Sequence, residues 1–130
     1  MKINPLIDLL GGTLDVWREG YAEISLPMAP CVLNTAGVLH GGTAAALLDT
    51  VCGLAGLYSP DQGVRRLGST LSLTLSYLNK GVGLRVIGKG RLQRKGRSVF
   101  FASGEAWTDS GLLICSCQGV FSHHVAYSSQ

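Results

Sequence analysis

The segment from residue 42 to 58 constrains the fold more than any other. It is a run of good helix formers, Ala44, Ala45, Ala46, Leu47 and Leu48 among them, that continues through Val51, Cys52, Leu54, Ala55 and Leu57. The spacing predicts a helix over residues 42–58, with Thr43 near its N-cap and Ser59-Pro60-Asp61 as its stop. A helix apolar on nearly every side has no face for water, so it must be buried all round. Asp49 in its middle makes it too short and too interrupted to span a membrane.

Directly after it the period changes to two. Leu67, Leu71, Leu73, Leu75 and Tyr77 alternate with Gly68, Thr70, Ser72, Thr74 and Ser76, which reads as a strand with one apolar and one hydroxyl face. Leu84 to Lys95 is a second strand, with Arg85, Lys89, Arg91 and Lys95 on one face and Val86, Gly88, Gly90 and Leu92 on the other. Gly96-Arg97 makes a turn, Ser98 to Thr108 a third strand, and Asp109-Ser110-Gly111 a hairpin turn into a fourth, Leu112 to Ser122. The polar tail from His123 onward is expected to fray. Upstream, Ile3 to Leu10 suits a short amphipathic helix, Thr13 to Trp17 and Tyr21 to Met28 two strands, and Cys31 to Leu39 a loop. One central helix followed by four successive antiparallel strands is an α+β fold, a sheet wrapped around a helix.

At 130 residues, with no repeat and no linker, residues 1–130 form a single domain. Charged residues are only 15% of the chain, against ~25% in an ordinary soluble domain. So lean a supply implies that another subunit covers part of the surface. The four cysteines contain no CxxC pair and read as reduced thiols of a cytosolic protein. The N-terminus lacks the pattern of a secretory signal.

Two places can carry chemistry. Asp49 sits among apolar helix residues, and an unpaired buried carboxylate is expensive to keep. It is either a functional group or a carboxylate satisfied by a local hydroxyl such as Thr50. His40-Gly41-Gly42 opens the helix, where free N–H groups and the positive end of the dipole could build an oxyanion hole. An ordinary glycine-rich helix start is the plain alternative. The two places are ~2.5 turns and about 13 Å apart along the helix. They point to roughly opposite sides, so if both act on one bond, a second copy of the chain must supply Asp49.

From Gln62 to Gly104 there are nine basic residues and no acidic one. They form either a solvated strand face or a site for phosphate groups. The stretch lacks interleaved aromatics and the net charge is only +3, so a small phosphorylated ligand suits it better than nucleic acid. His123-His124 lacks ligand partners at metal spacing, and no GxSxG, Walker A or dinucleotide fingerprint is present.

Asn34-Thr35-Ala36-Gly37-Val38-Leu39-His40-Gly41-Gly42 followed by Asp49 resembles the Asn-x-x-Gly-x-x-His-Gly-Gly-x6-Asp signature of hotdog-fold acyl-CoA thioesterases. The nearest branch is the phenylacetate-pathway (PaaI-like) type. The resemblance runs from about Gly20 to Phe121. It implies hydrolysis of an aromatic or medium-chain acyl-CoA by a cytoplasmic homo-oligomer, a dimer or a homotetramer built as a dimer of dimers. It implies no metal, no other cofactor, and neither a nucleic-acid nor a membrane partner. Catalytic roles would fall to Asp49 of the partner chain as nucleophile or base, to the Gly41 N–H as oxyanion donor, and to Asn34, His40 and Thr70 as positioning groups. Gly42, Arg94, Lys95 and Arg97 would meet the substrate, the basic three at the phosphates of coenzyme A. The chain departs from the pattern at Asn79-Lys80-Gly81, where many relatives carry a proline. By strand parity Thr70 should face away from the helix, unless a bulge shifts it. A dehydratase would need a differently spaced His and acid, which is absent. A non-catalytic acyl-CoA-binding or regulatory protein on the same fold is the alternative of another class.

Overall fold

The computed structural model describes residues 2–127. Helix α1 (Pro5–Leu9) is capped by Asn4, whose side chain accepts from the Ile7 N–H. Strands β1 (Thr13–Arg18) and β2 (Tyr21–Pro27) follow, then a 3-10 turn at Pro30–Val32. Helix α2 (Gly41–Leu57) leads into β3 (Val64–Tyr77), β4 (Arg85–Lys95), β5 (Val99–Thr108) and β6 (Leu113–Tyr127). One antiparallel six-stranded sheet has the order β1-β2-β4-β5-β6-β3 and curls around α2.

The sheet-around-helix reading holds, with two corrections. The last four strands are not neighbours in succession: β3 pairs along β6 at the far edge, and β2 takes the place beside β4. The connection between β3 and β4 therefore crosses the sheet end instead of turning tightly. It is pinned there, as the Leu78 N–H donates to Ile114 O and the Asn79 side-chain amide to Leu113 O. The expected fraying from His123 is also overturned. Strand β6 runs to Tyr127 because β3, starting at Val64, gives it a hydrogen-bonded partner all the way. Residues 128–130 of that tail lie outside the described residues.

The core lies between α2 and the inner sheet face. Ala22, Ile24 and Leu26 of β2, Val86 of β4, Phe100, Ala102 and Ala106 of β5, and Phe121 of β6 close on Leu47, Leu48, Val51 and Cys52 of the helix. Glycines set how near the helix can come. A Cβ on Gly90 would run into the Val51 carbonyl, and one on Gly104 would stand 2.8 Å from Cys52 Sγ and 2.9 Å from Cys117 Sγ. Both would collide in a packed interior.

Burial of α2 is one-sided rather than complete. Ala44, Leu47, Leu48, Val51, Cys52 and Ala55 are buried, whereas Ala45, Ala46, Asp49, Thr50, Gly53 and Leu54 are only half-buried. The sheet covers one side of the helix, and the other is covered only in part, by the N-terminal segment at Thr50 and by Trp17 at Leu54. The C-terminal carbonyls of α2 find partners from afar: the Trp17 indole N–H donates to Leu54 O at 2.9 Å and the Lys95 ammonium to Gly56 O at 2.8 Å. A cation there also suits the helix dipole.

Gly90→Ala should destabilise the fold by at least ~3 kcal/mol, the upper part of the overpacking range, because backbone rather than a movable side chain blocks the added methyl. Urea unfolding checks this; a loss under ~0.5 kcal/mol, the size of an ordinary surface change, would refute the close approach.

Candidate active site

The loop before α2 is organised by Asn34. Its side-chain oxygen accepts from the Ala36 N–H at 2.9 Å and the Val38 N–H at 3.2 Å, while its backbone exchanges hydrogen bonds with Val38 and Gly37. Gly37 takes the left-handed conformation the turn requires, with φ 79°. A Leu33–Leu39 bridge closes the loop's base, and His40 is delivered to the start of the helix.

The N-cap is His40, not Thr43. His40 Nδ1 accepts from the Gly42 N–H at 2.8 Å, and the hydroxyl of Thr43 turns back to Val32 O at 3.2 Å. Accepting through Nδ1 leaves the proton of the neutral ring on Nε2. Gly42 thus uses its amide within the cap. The Gly41 N–H has no partner among the described residues and stands at the positive end of a helix of 17 residues. Tyr77, at the end of β3, donates its hydroxyl to Gly41 O at 2.7 Å. It fixes the peptide next to that free N–H, a contact the sequence reading missed, since Tyr77 read only as the end of an apolar strand face.

Asp49 lies two turns further on. Its carboxylate accepts a 2.6 Å hydrogen bond from the Thr70 hydroxyl. Strand parity put Thr70 on the wrong face; a bulge corrects it. Thr70 pairs with Phe121 and Ser72 with Val120, so Leu71 is left without a partner. The extra residue turns Gly68 and Thr70 to the helix side along with Leu73 and Leu75. It also turns Leu67 and Leu71 out to solvent, against the expectation of one continuous apolar face. The Thr50 hydroxyl, the local candidate for satisfying Asp49, instead donates to Ala46 O and accepts from Asn4.

Asp49 and Thr70 line a groove of about 320 Å³ between α2 and β3, together with Gly53, Leu54, Leu57 and Phe121. The carboxylate is half-buried there, not sealed in the core. Cys52 is no rival nucleophile. Its hydrogen-bonded neighbour Cys117, its burial and the charge of Asp49 push its thiol above the ordinary range, and its sulfur lies 3.5 Å from Cys117 Sγ.

Within one chain the Gly41 amide and Asp49 remain ~12 Å apart along the helix. Arg94, at the end of β4, and Arg97, in the β4–β5 turn, are exposed, and so in part is Lys95, but its side chain goes elsewhere. A second bulge, between Leu92 and Arg94, places Lys95 opposite Phe100 and so on the helix side. There it caps α2, and burial, then the charge of Arg66, lowers its pKa. Among the aromatics near the helix and sheet, Phe100 is core, Tyr58 packs edge-on against Trp17, and Trp107 lies on the outer sheet face. Phe121 is the aromatic ring that lines the groove. Among the described residues no group of His, Cys, Asp and Glu could hold a metal ion.

Comparison with known proteins gives the family and the fold. The thioesterase superfamily model matches residues 36–115, a span that includes His40, Gly41, Asp49 and Thr70 but neither Asn34 nor Phe121. The medium/long-chain acyl-CoA thioesterase YigI of Escherichia coli is 27% identical, with 90% of this chain and 84% of YigI covered. The solved structure of conserved protein PA5202 from Pseudomonas aeruginosa is 27% identical, with a TM-score of 0.81 over 94% of this chain and 95% of that one. The BH2602 protein from Bacillus halodurans, solved with CoA, is 25% identical, with a TM-score of 0.80 over 95% of this chain and 78% of that one. The sheet wrapped around one main helix is the hotdog fold.

His40→Ala should cost ~1 kcal/mol of stability, the usual loss of an N-cap acceptor, and His40→Asn should recover most of it. Thermal melts of the three proteins check this; equal melting of wild type and His40→Ala would show that the cap contributes nothing.

Proposed function

The chain belongs to the thioesterase superfamily and is a thioester hydrolase; on that premise we propose that it cleaves an aromatic or medium-chain acyl-CoA to the free acid and coenzyme A, with Asp49 as the reacting carboxylate. The observation that carries this reading is the Thr70–Asp49 hydrogen bond at the mouth of an open groove. A threonine hydroxyl that donates to one carboxylate oxygen leaves the other free for water or for the substrate. The name of YigI and the CoA in the BH2602 structure support the substrate class.

Hydrolysis adds a water oxygen to the thioester carbon and breaks the carbon–sulfur bond, and the thiolate leaves with a proton. Asp49 acts as the base that takes the water proton, or as the nucleophile whose acyl adduct water then cleaves. The Gly41 N–H polarises the carbonyl oxygen where negative charge develops, in line with the dipole of α2. Asn34 and His40 hold the loop that presents Gly41. Every step runs through side chains, backbone amides and water, so the reading calls for no cofactor.

Gly41 and Asp49 are too far apart in one copy to meet on one carbon, so the site is composite. Asp49 and Thr70 come from one copy and Gly41 from its partner, in a homodimer or a dimer of dimers. The unpaired edge of β3, with Leu71 and Tyr77 each 58% exposed, and the half-covered side of α2 support such an interface. Arg94 and Arg97 receive the phosphates of coenzyme A. Lys95 contributes to that site through the helix end it caps. The motif spacing favours the PaaI-like branch. The reduced cysteine pair in the core and an acyl-CoA substrate suit the cytoplasm, and no described helix is long and apolar enough to cross a membrane.

Free-thiol release from a panel of acyl-CoA thioesters tests the reading. Wild type should turn over, Asp49→Asn should lose at least ~100-fold in kcat, and Thr70→Val should lose ~10-fold where Thr70→Ser does not. No turnover on any thioester, with acyl-CoA binding intact, would point to a binding module instead. Arg94→Ala should raise KM with kcat unchanged, the pattern of a uniform binding contact; equal falls in kcat and kcat/KM would count against a phosphate contact.

A further inference from the structure

Helix α2 contains two interior glycines past Asp49, and they differ in what surrounds them. A Cβ on Gly56 would collide with the Phe100 ring, so packing explains that glycine. A Cβ on Gly53 would meet only Phe121 Cε2 at 3.9 Å, an ordinary contact. Gly53 also has no positive φ to demand glycine. Glycine in a helix interior is less favourable than alanine by a clear margin. Neither the packing nor the backbone of this chain accounts for the missing side chain.

Gly53 lies one turn beyond Asp49 and one turn before Leu57, on the helix face that lines the groove. Leu54 and Leu57 from α2, Phe121 from β6 and Ile3 from the N-terminal segment give it apolar surface, and Asn4, Thr50, Ser69 and Ser122 add polar groups at its sides. That segment is held in place, because the Ile3 N–H donates to Asp8 at 3.0 Å and the Asn4 side chain to the Thr50 hydroxyl at 3.3 Å. The Phe121 ring is fixed as well, stacked on Phe100 with centroids 5.0 Å apart. Leu57 Cδ2 lies 3.4 Å from where a Cβ on Gly68 would stand, which closes the far end. From Asp49 to Leu57 the helix rises ~12 Å. The groove is thus a trough, largely apolar around Gly53, with a carboxylate at one end, a leucine stop at the other and an open floor at Gly53.

We propose that Gly53 sets acyl specificity: the space left by its missing side chain carries a straight acyl chain from the thioester at Asp49 toward Leu57. This rests on the hydrolase reading and narrows it to extended unbranched acyl groups over compact aromatic ones. A trough of this length suits a linear chain, and Gly53 is the point where any added side chain would cut it short.

The test compares wild type, Gly53→Ala and Gly53→Leu on acetyl-, hexanoyl-, decanoyl-, palmitoyl- and phenylacetyl-CoA, with the oligomer mass and melting temperature of each protein. Wild type should prefer a straight chain to phenylacetyl. Gly53→Leu should lose at least ~10-fold more kcat/KM on decanoyl- than on acetyl-CoA, the scale on which apolar pockets discriminate. Gly53→Ala should melt no lower than wild type and show a milder shift in the same direction. Equal loss on all chain lengths, a wild-type preference for phenylacetyl, or a changed oligomer mass with an unchanged chain-length profile would overturn the proposal. The last outcome would assign the glycine to helix packing between copies. If wild type cleaves no thioester, the hydrolase reading falls by itself. Calorimetric binding of decanoyl-CoA then decides the groove: loss in Gly53→Leu with retention in Gly53→Ala supports it, and equal binding by all three overturns it.

Discussion

The backbone of α2 lies directly on β4, with Gly90 under the Val51 carbonyl, and the rest of the molecule follows from that approach. Helix and sheet come this close only where the strand has no side chains, and Gly88, Gly90 and Gly104 supply such a track along β4 and β5. With the helix seated so deeply, the sheet must curl around it, and the large side chains are displaced to the flanks. Phe100 and Phe121 stack on one side, and Ile24 and Leu26 pack on the other. Glycines that could be mistaken for a nucleotide-binding loop are the bed of a helix.

Seating the helix against the sheet fixes where its polar residues emerge. Asp49 is carried to the rim, beside the edge strand β3, and not into the core. One unpaired residue in β3 then decides the chemistry available there. The bulge at Leu71 turns the Thr70 hydroxyl onto the carboxylate and sends two leucines to the surface. The same irregularity that brings Thr70 to Asp49 leaves an exposed apolar edge at Leu67 and Leu71.

The two ends of α2 are handled differently. At the N-terminus one amide is capped by His40, while the Gly41 N–H stays free and its neighbouring peptide is held by Tyr77. At the C-terminus, groups from distant strands, Trp17 and Lys95, reach in to satisfy the carbonyls. A closed end anchors the helix, and an open end leaves a donor where the proposed reaction would develop negative charge.

Local pattern was enough for much of this. The run of helix formers from Ala44, the period of two after Leu67 and the turn residues at Gly96 and Ser110 determined the elements. The His-Gly-Gly and Asp49 spacing determined that one helix cannot bring both to a single atom, because helical rise is a fixed length per residue. Strand order, the N-cap at His40, the inward turn of Lys95 and the full length of β6 were decided only in three dimensions. All but the cap, which His40 makes with nearby Gly42, depend on a partner far along the chain: β3 for β6, and Gly56 for Lys95. A single extra residue in a ladder reverses every side chain beyond it, and whether that residue is accommodated is settled by the facing strand, not by the strand that carries it.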